Sequence, residues 1–399
     1  MTNNLLNIIM ADSSPYNSLL KLGPHHYAEL LSQEARILYF SYPAFILMPL
    51  VTKIFGGDKG IQKQNIDYTQ IDNQSNLISA VGRTLVPPAI PLSPLYVFSG
   101  KGEKWRPKWL IHAGLKFSFP SVHHLIRSNG FDNVDILLIE DFRLWPLLDM
   151  VKAGLKVYHM RDDVSGFGDW HDCSESIERD IIHSVDKVIV TARKLEVKAR
   201  NLGAKDIIYL PNGVDFDFFA VQTVDNIPAD LHRIPSPRII YVGTIGKWFD
   251  SEIVEYCAHS LPDCSFVLIG PNSIDDSSLR SYSNIRFLGP KSYDLIPAYL
   301  NNCDIGIIPF KKNKLTDAVC PIKLFEYMAS GLQVVSTDLA ETKSLKSPAF
   351  LAKDKDEFLS MIKYALDIKG KTKGEVIRFA KNNTWENRFS VLKNALRMV

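Results

Sequence analysis

Lys323 and Glu326 are the charged residues of this 399-residue sequence whose spacing best suits a chemical role. They follow Pro321 in a segment that stops at Gly331, a pattern typical of a helix with proline at its start and glycine at its end. The free N–H groups of a helix N-terminus attract anions, so a lysine there is favourable when an anion such as a diphosphate is held. Glu326 shares that helix face and can accept hydrogen bonds from two neighbouring hydroxyls, as on a ribose. An ordinary surface Lys–Glu pair is the alternative.

Asp162 and Asp163 are the leading candidates for acid–base chemistry. They come directly after the apolar run at residues 156–159, and a carboxylate at the end of a buried strand reaches the crevice where α/β proteins bind ligands. A helix cap or a turn is the alternative role for either residue. Two adjacent carboxylates do not make a coordination shell, so we predict no required metal.

The elements that position these residues are short apolar runs alternating with segments of helical period, which indicates parallel sheets covered by helices. One series of predicted strands comprises residues 7–10, 36–40, 134–139, 156–159, 187–190 and 207–210. A second series comprises residues 238–242, 265–269, 285–288, 304–308, 333–336 and 349–351. Between the two series, residues 225–237 are polar and contain three prolines, a composition that suits a linker.

Composition narrows the class of protein. Hydrophobic residues make up 46% of the chain and charged residues 23%, as in folded proteins, and a net charge of +2 gives no reason to expect nucleic acid as a partner. Five cysteines without a C-x-x-C pair argue against a disulfide framework and against a zinc site. The apolar stretch 42–51 is shorter than the roughly 20 residues that cross a bilayer. We therefore expect a cytoplasmic protein.

Residues 321–337, PIKLFEYMASGLQVVST, resemble the donor-site signature of GT-B glycosyltransferases of bacterial polysaccharide synthesis. LPNGVD at 210–215 and NTWE at 383–386 are similar to two further motifs of that family, and segments 240–244, 267–271 and 308–310 match as well. The resemblance covers the chain from about residue 155 onward. It implies the GT-B fold, in which two Rossmann-like α/β domains face each other across a cleft and a C-terminal helix crosses back to the first domain.

The resemblance also implies the domain boundaries and what each domain would bind. Residues 1–217 would form an acceptor-binding domain with an irregular insertion at about 52–106, and residues 218–237 a linker. Residues 238–380 would bind the nucleotide-sugar, and residues 381–399 would form a helix that packs on the first domain.

By this resemblance, Lys323 would bind the donor phosphates and Glu326 the ribose. Gly243, Thr244 and Lys247 would line the phosphate side of the site, and Gly270 and Pro271 would edge the base pocket. Pro321, Ile322 and Leu324 flank the lysine in the same motif. Many relatives carry a second glutamate eight residues before the ribose-binding one, whereas this chain has Ala318. The usual retaining mechanism is therefore in doubt.

On the acceptor side, Asp162 and Asp163 are similar to a Tyr-x-x-x-Asp-Asp element at the cleft edge. His25 and His26 resemble a histidine-bearing acceptor loop, with helix capping or packing as the alternative.

The implied function is transfer of a sugar from a nucleoside-diphosphate sugar, by base rates a UDP-sugar, to a glycan or lipid-linked acceptor of cell-surface polysaccharide synthesis, without a cofactor. An inactive GT-B subunit and a nucleotide-sugar epimerase of the same fold are the alternatives. An NAD-dependent oxidoreductase would need a G-x-G-x-x-G after the first strand, which is missing.

Two segments suit peripheral contact with the inner face of the cell membrane. Residues 45–55 are apolar, and residues 101–116 interleave five basic residues with Trp105 and Trp109. A solvated basic helix with core tryptophans is the alternative.

Overall fold

The computed structural model describes residues 5–18, 21–47, 69–71, 76–87, 90–91, 104–105, 107–166, 173–220 and 227–398. The chain divides into two compact units. The first comprises Met1–Thr191, Leu195–Leu210 and Val391–Val399, and the second comprises Ala192–Lys194 and Pro211–Ser390. In the described part of the chain, no helix combines the length and apolar character that crossing a membrane requires.

The first unit is built on a mostly parallel sheet. Its strands are β1 (Leu6–Asp12), β2 (Ala35–Phe45), β3 (Thr69–Ile71), β4 (Leu77–Thr84), β7 (Ser118–Phe119), β8 (Val134–Ile139), β9 (Ala153–Met160), β10 (Lys187–Val190) and β11 (Ile207–Tyr209). Their order is β11-β10-β9-β8-β1-β2-β4-β3, with β7 on β4. Only β3 and β7 run antiparallel to their partner. A separate ribbon pairs β5 (Ile90–Pro91) with β6 (Lys104–Trp105).

Helices connect these strands because parallel neighbours need crossover connections. They are α1 (Gly23–Ser32), α2 (Lys108–Lys116), α3 (Val122–Ser128), α4 (Leu147–Met150), α5 (Ser174–Ser184) and α6 (Arg193–Asn201). The last helix of the chain, Trp385–Ala395, ends among residues that pack with this unit, where the Lys393 ammonium lies 2.8 Å from the Glu34 carboxylate.

The expectation of irregular structure through residues 52–106 is wrong for Leu77–Thr84. This segment is β4, which pairs in parallel with β2 and brings Leu77, Ala80 and Val81 into the core. Ser79 and Gly82 interrupt its apolar residues, so the sequence lacks the continuous run that marks a buried strand. Within the same predicted insertion, the apolar run at residues 95–98 lies outside the described residues.

The second unit has an all-parallel sheet. Its strands are β12 (Arg238–Val242), β13 (Ser265–Ile269), β14 (Ile285–Gly289), β15 (Ile305–Ile308), β16 (Gln333–Thr337) and β17 (Phe350–Ala352). Its helices are α7 (Phe216–Ala220), α8 (Ala229–His232), α9 (Ser251–Ser260), α10 (Ser277–Arg280), α11 (Ile296–Leu300), α12 (Ile322–Ala329), α13 (Ala340–Ser344), α14 (Lys355–Asp367) and α15 (Lys373–Lys381), followed by α16 (Trp385–Ala395). Phe219, Leu231 and Ile234, which lie within the predicted linker, belong to the core of this unit.

The strand order of the second sheet, β14-β13-β12-β15-β16-β17, is that of a dinucleotide-binding Rossmann sheet. The side on which the chain adds successive strands reverses between β12 and β15, so the loops after these two parallel strands diverge and leave a crevice at the carboxyl edge. The first unit has the same arrangement in β4-β2-β1-β8-β9-β10, with its reversal between β1 and β8. Each unit therefore has one position where a ligand crevice is expected.

Tyr327 of α12 ties that helix to the sheet of the second unit. Its hydroxyl accepts a 2.7 Å hydrogen bond from the Val242 N–H at the end of β12. The fully buried ring lies against Gly306 of β15, where an added Cβ would approach Tyr327 to 2.3 Å. The glycine thus makes room for the ring that orients the helix.

We expect Gly306→Ala to lower the free energy of unfolding by about 1–3 kcal/mol, because the methyl group overlaps a ring that cannot leave. Thermal or urea denaturation measures this. Gly374→Ala is the matched control, since a methyl group added at Gly374 in helix α15 would meet no atom within 4 Å and alanine favours helix. Equal melting temperatures for the two variants would contradict this packing.

Candidate functional site

The crevice of the second unit is formed by the ends of β12 and β15 and by the start of α12. Gly243 comes directly after β12, Phe310 lies two residues after β15, and Lys323 is in the first turn of α12. Because an α-helix leaves its first four N–H groups without intrahelical partners, α12 presents donors and a positive dipole end here.

Lys323 is held by aromatic rings. Its ammonium nitrogen lies 5.0 Å from the ring centroid of Tyr241 and 4.7 Å from that of Phe310. Within the described residues it forms no ion pair, although Glu326 is one helical turn away. Cation–π contacts orient an ammonium but leave its charge uncompensated. The arrangement is therefore suited to accept an anion.

Burial shifts both charged groups of α12 toward their neutral forms. It lowers the pKa of Lys323 to about 8, against the attraction of the Glu326 carboxylate. It raises the pKa of Glu326 to about 7, against the attraction of the Lys323 ammonium. Perturbed titration of paired groups in a crevice is characteristic of functional sites.

Two glycines give the lysine access to the strand ends. An added Cβ at Gly243 would lie 3.0 Å from the Lys323 ammonium nitrogen, and one at Gly270 would lie 2.1 Å from the Gly243 carbonyl oxygen. Both residues have positive φ, +143° and +138°. Side chains at either position would close the space between the two strand ends and Lys323.

The start of α12 is fixed from outside the sheet. Pro321 is the N-cap residue, and the carbonyl of the preceding Cys320 accepts a 2.7 Å hydrogen bond from the Asn212 side-chain amide. Arg388 Nε in turn donates to the Asn212 carbonyl at 3.2 Å. At the other end, Gly331 adopts the left-handed φ of +81° that its position predicts.

Backbone hydrogen bonds join the LPNGVD and NTWE motifs next to the bond between Asn212 and Cys320. The Val214 N–H donates to the Asn383 carbonyl and the Trp385 N–H donates to the Val214 carbonyl, both at 3.1 Å. An added Cβ at Gly213 would lie 3.0 Å from the Thr384 backbone, so a side chain here would push the two segments apart by a few tenths of an ångström. We call this pairing of residues 212–214 with residues 383–388 the motif clasp.

The other predicted donor positions differ in what they offer. The Thr244 carbonyl accepts from the Tyr241 hydroxyl at 2.8 Å, and the Pro271 carbonyl accepts from the Ile245 N–H at 2.8 Å. Lys247 is exposed, and Ile322 is half-buried beside Lys323. Leu324 packs its side chain in the core and donates its N–H to the Pro321 carbonyl, so it supports the helix rather than a ligand.

Near the expected position of a transferred sugar, Ala318 is 2% exposed, and the adjacent Asp317 accepts a 3.4 Å hydrogen bond from the Ala340 N–H. The described residues contain no group of three His, Cys, Asp or Glu placed to bind a metal ion.

The crevice of the first unit holds a charged cluster that sequence reasoning missed. Asp12 ends β1, and its carboxylate accepts from the Tyr39 hydroxyl and from Arg161, both at 2.9 Å. Asp141, two residues after β8, accepts from Ser13 at 2.5 Å and pairs with Arg143 at 2.7 Å. Burial opposes the charge on Asp141, but Arg143 and Ser13 together hold its pKa well below the usual range.

Glu140 and His159 lie beside this cluster. The Glu140 carboxylate lies 2.9 Å from His159 Nδ1 and 3.8 Å from Arg161 Nε, and both Glu140 and His159 are almost fully buried. The charges that directly follow two adjacent apolar strands, at Asp12 and Glu140, are the signal that could have located the cluster from sequence.

The structure separates the two adjacent aspartates after β9. Asp163 is 4% exposed, accepts hydrogen bonds from Ser165 and pairs with the Lys198 ammonium at 2.6 Å. Asp162 is half-buried and makes no hydrogen bond with another described residue. Burial raises its pKa, and the charge of the neighbouring Arg161 only partly offsets that effect.

His25 and His26 are both buried in the first turn of α1. His25 Nδ1 accepts the Leu22 N–H at 3.0 Å, and Nε2 lies 3.1 Å from the Pro15 carbonyl, so both ring nitrogens are engaged. Burial lowers the pKa of both residues, that of His26 to about 2. These contacts are those of a helix cap and its packing.

Comparison with known proteins finds similarity to glycosyltransferases, with a family model matching part of the second unit. Residues 236–367 match the family model for glycosyl transferases group 1. The chain is 28% identical over 181 residues to a protein of Bacillus subtilis (strain 168) named as a teichuronic acid biosynthesis glycosyltransferase, TuaH, covering 44% of this chain and 46% of that protein. It is 27% identical over 255 residues to a protein of Escherichia coli (strain K12) named as a colanic acid biosynthesis glycosyl transferase, WcaI, covering 60% of each. The matched parts thus span about half of these relatives' lengths.

Solved structures resemble the whole chain. Sucrose-phosphate synthase from Thermosynechococcus elongatus has a TM-score of 0.68 at 14% identity, covering 98% of each chain. Anabaena HepE in complex with UDP has a TM-score of 0.65 at 12% identity, covering 99% of this chain and 100% of that one. The predicted GT-B class, with two Rossmann-like α/β units in one chain, is confirmed by this likeness.

We expect the Lys323 ammonium to titrate near pH 8, against about 10.4 for an unperturbed lysine. Glu326→Gln should lower this pKa further, because the carboxylate favours the charged ammonium. Carbon-13 NMR of labelled lysine side chains measures it, and Lys323→Met assigns the signal. Glu375→Gln, at an exposed position of α15, is the control. A Lys323 pKa that rises in Glu326→Gln would contradict the attraction between the two side chains.

Proposed function

We propose that this chain is a glycosyltransferase using a nucleoside-diphosphate sugar, because residues 236–367 match the family model for glycosyl transferases group 1. The single observation that carries the proposal is the Lys323 ammonium, which two aromatic rings hold at a helix N-terminus without an ion-pair partner among the described residues. A diphosphate supplies the missing negative charge.

The donor is held by complementary groups along α12. The first-turn N–H groups and Lys323 contact the diphosphate, and the Glu326 carboxylate accepts hydrogen bonds from the ribose hydroxyls. Gly243 and Gly270 leave room for the phosphates beside the strand ends. UDP is the nucleotide we propose, because the Anabaena structure of the same fold is described with UDP.

The same groups promote bond breaking. As the bond between the sugar and the diphosphate breaks, negative charge builds on the departing phosphate oxygen. Lys323 and the helix dipole are already oriented toward that charge, so they stabilise the transition state without reorganisation. The protein groups described here therefore supply the charge stabilisation, and we propose no required metal or other cofactor.

Asp162 is the proposed general base on the acceptor side. It takes the proton from the acceptor hydroxyl as the oxygen attacks the anomeric carbon of the sugar. Its raised pKa and its freedom from hydrogen bonds with described residues suit proton uptake, whereas Asp163 is occupied by Ser165 and Lys198. The cluster around Asp141 and Arg143 lies in the crevice of the same unit and is proposed to bind acceptor hydroxyls.

The names of the curated relatives favour a glycan or lipid-linked acceptor in cell-surface polysaccharide synthesis. We accordingly propose a cytoplasmic enzyme that works at the inner face of the membrane.

One observation favours a second candidate function. Ala318 occupies the position where many relatives carry a glutamate near the transferred sugar, and it is buried. A chain without that carboxylate could serve as an inactive partner subunit that still binds nucleotide. Release of UDP from a nucleotide-sugar separates the two, since an inactive subunit releases none.

We expect UDP to raise the melting temperature of the protein, because a ligand that binds only the folded state stabilises it. Lys323→Ala should weaken UDP binding about tenfold or more, because a charge-assisted contact is lost. Lys355→Ala is the matched control, since Lys355 lies 4.9 Å from the Tyr256 ring on the surface of the same unit. Equal UDP affinity in the two variants, by calorimetry, would refute the phosphate assignment.

The affinity for UDP should also fall as the pH rises above about 8, because Lys323 must then take up a proton to bind the anion. In Lys323→Ala this decrease in UDP affinity above about pH 8 should disappear. A decrease that persists would point to another titrating group.

We expect Asp162→Asn to reduce transfer by a factor of about 10²–10⁴ while leaving UDP affinity unchanged, because a general base is lost and the donor contacts are not. Asp163→Asn should instead lower the melting temperature, since Asp163 pairs with Lys198. UDP release is measured with the nucleotide-sugar that gives the largest thermal shift. Full activity in Asp162→Asn would exclude it as the base.

A further inference from the structure

Five exposed apolar side chains lie together at one end of the first unit's sheet. Phe119 is 77% exposed, Leu85 67%, Phe117 65%, and Ile46 and Leu47 43% each. We call these five residues the apolar corner. Single exposed apolar residues are common on proteins, but a contiguous group of large ones marks an interaction surface.

Backbone pairing brings the five residues together. The Ile46 N–H donates to the Thr84 carbonyl at 3.0 Å, so the end of β2 lies beside the end of β4, which Leu85 follows. Thr84 pairs with Ser118 of β7, and Phe117 and Phe119 flank Ser118. Phe117 is the C-cap residue of helix α2 and Phe119 is the last residue of β7, and both side chains are exposed whereas Ser118 between them is buried.

Helix α2 extends the surface beside the apolar corner. The Tyr42 hydroxyl of β2 donates to the Ile111 carbonyl at 2.9 Å, which fixes the helix against this strand. Trp109 of the same helix is 57% exposed. Lys116, at the last turn, places its ammonium 5.8 Å from the Phe117 ring centroid. A tryptophan and a lysine beside exposed aromatic rings are typical of side chains at a membrane–water interface.

The charged residues next to the apolar corner along the sequence are cations. Within five residues of its members the chain has Arg83 and Lys116 and no Asp or Glu. The whole chain, by contrast, has 44 acidic residues and a net charge of +2. A surface for another protein normally mixes both signs, whereas an anionic lipid surface favours cations without acidic residues.

We propose that the apolar corner, with Trp109 and Lys116, docks the first unit onto a bilayer of anionic phospholipid. The aromatic and aliphatic side chains enter the headgroup region, and the lysines remain at the phosphates. This narrows the membrane contact expected from segments 45–55 and 101–116 to named residues, three of which, Leu85, Phe117 and Phe119, lie beyond both segments. The proposal concerns residues other than the donor site and stands whether or not the proposed transfer is correct.

The test is cosedimentation with vesicles of phosphatidylglycerol and phosphatidylcholine in equal parts. We expect the wild type to bind these vesicles and to bind pure phosphatidylcholine less, with added salt weakening the difference. The double variant Phe117→Gln/Phe119→Gln should lose about tenfold or more in vesicle affinity, because two rings no longer leave water. Lys116→Glu should reduce binding to the anionic vesicles and spare the neutral ones.

The control is the double variant Val197→Gln/Tyr364→Gln, which removes two side chains of similar exposure, 60% and 53%, elsewhere on the chain. It should bind vesicles as the wild type does. The melting temperature without ligand, which should be close to that of the wild type in all variants, establishes that each is folded. Vesicle binding that is absent in the wild type, or unchanged in Phe117→Gln/Phe119→Gln, overturns the proposal. A dimer that this variant dissociates overturns it too, because the corner would then be covered by a second copy.

Discussion

An ammonium group that forms no ion pair within the described residues, set at the positive end of a helix, is the constraint around which the second unit is organised. Such a group is costly to desolvate, and the dipole of α12 adds to the cost instead of reducing it. The two aromatic rings under Lys323 offset only part of this penalty. A bound anion would remove this electrostatic penalty. The same uncompensated charge that destabilises the empty site therefore increases its affinity for an anionic ligand.

Rigid supports around that lysine keep it from relaxing toward solvent. Tyr327 anchors the helix to β12, Gly306 admits its ring, and Asn212 fixes the carbonyl before Pro321. The crevice of the first unit is also lined by buried charged groups, but these groups pair with one another. There the crevice at the strand reversal is filled by paired carboxylates and guanidinium groups, whose charges already compensate each other. One crevice therefore favours a charged ligand, and the other favours a polar ligand that exchanges hydrogen bonds.

Much of this was predictable from the sequence. Each predicted strand of both series is present. Buried parallel strands need continuous apolar runs, and such runs can be recognised directly in the sequence. The Lys323–Glu326 segment was located by its spacing and its flanking Pro321 and Gly331. Strand β4 was missed because serine and glycine break its run. The cluster of Asp12, Asp141 and Arg161 was missed because it joins side chains up to 149 positions apart, and pairing at that separation leaves no local pattern.

The motif clasp has a consequence for how the second unit can be divided. The stretch that matches the family model, residues 236–367, contains neither half of the clasp, although the clasp fixes the carbonyl that precedes α12. A fragment cut at the limits of this match would keep Lys323 and lose the bond that orients its helix. The smallest exchangeable piece for building chimaeras between such proteins is therefore the stretch from Pro211 to Ser390, in which residues 212–214 and 383–388 are inherited as a set.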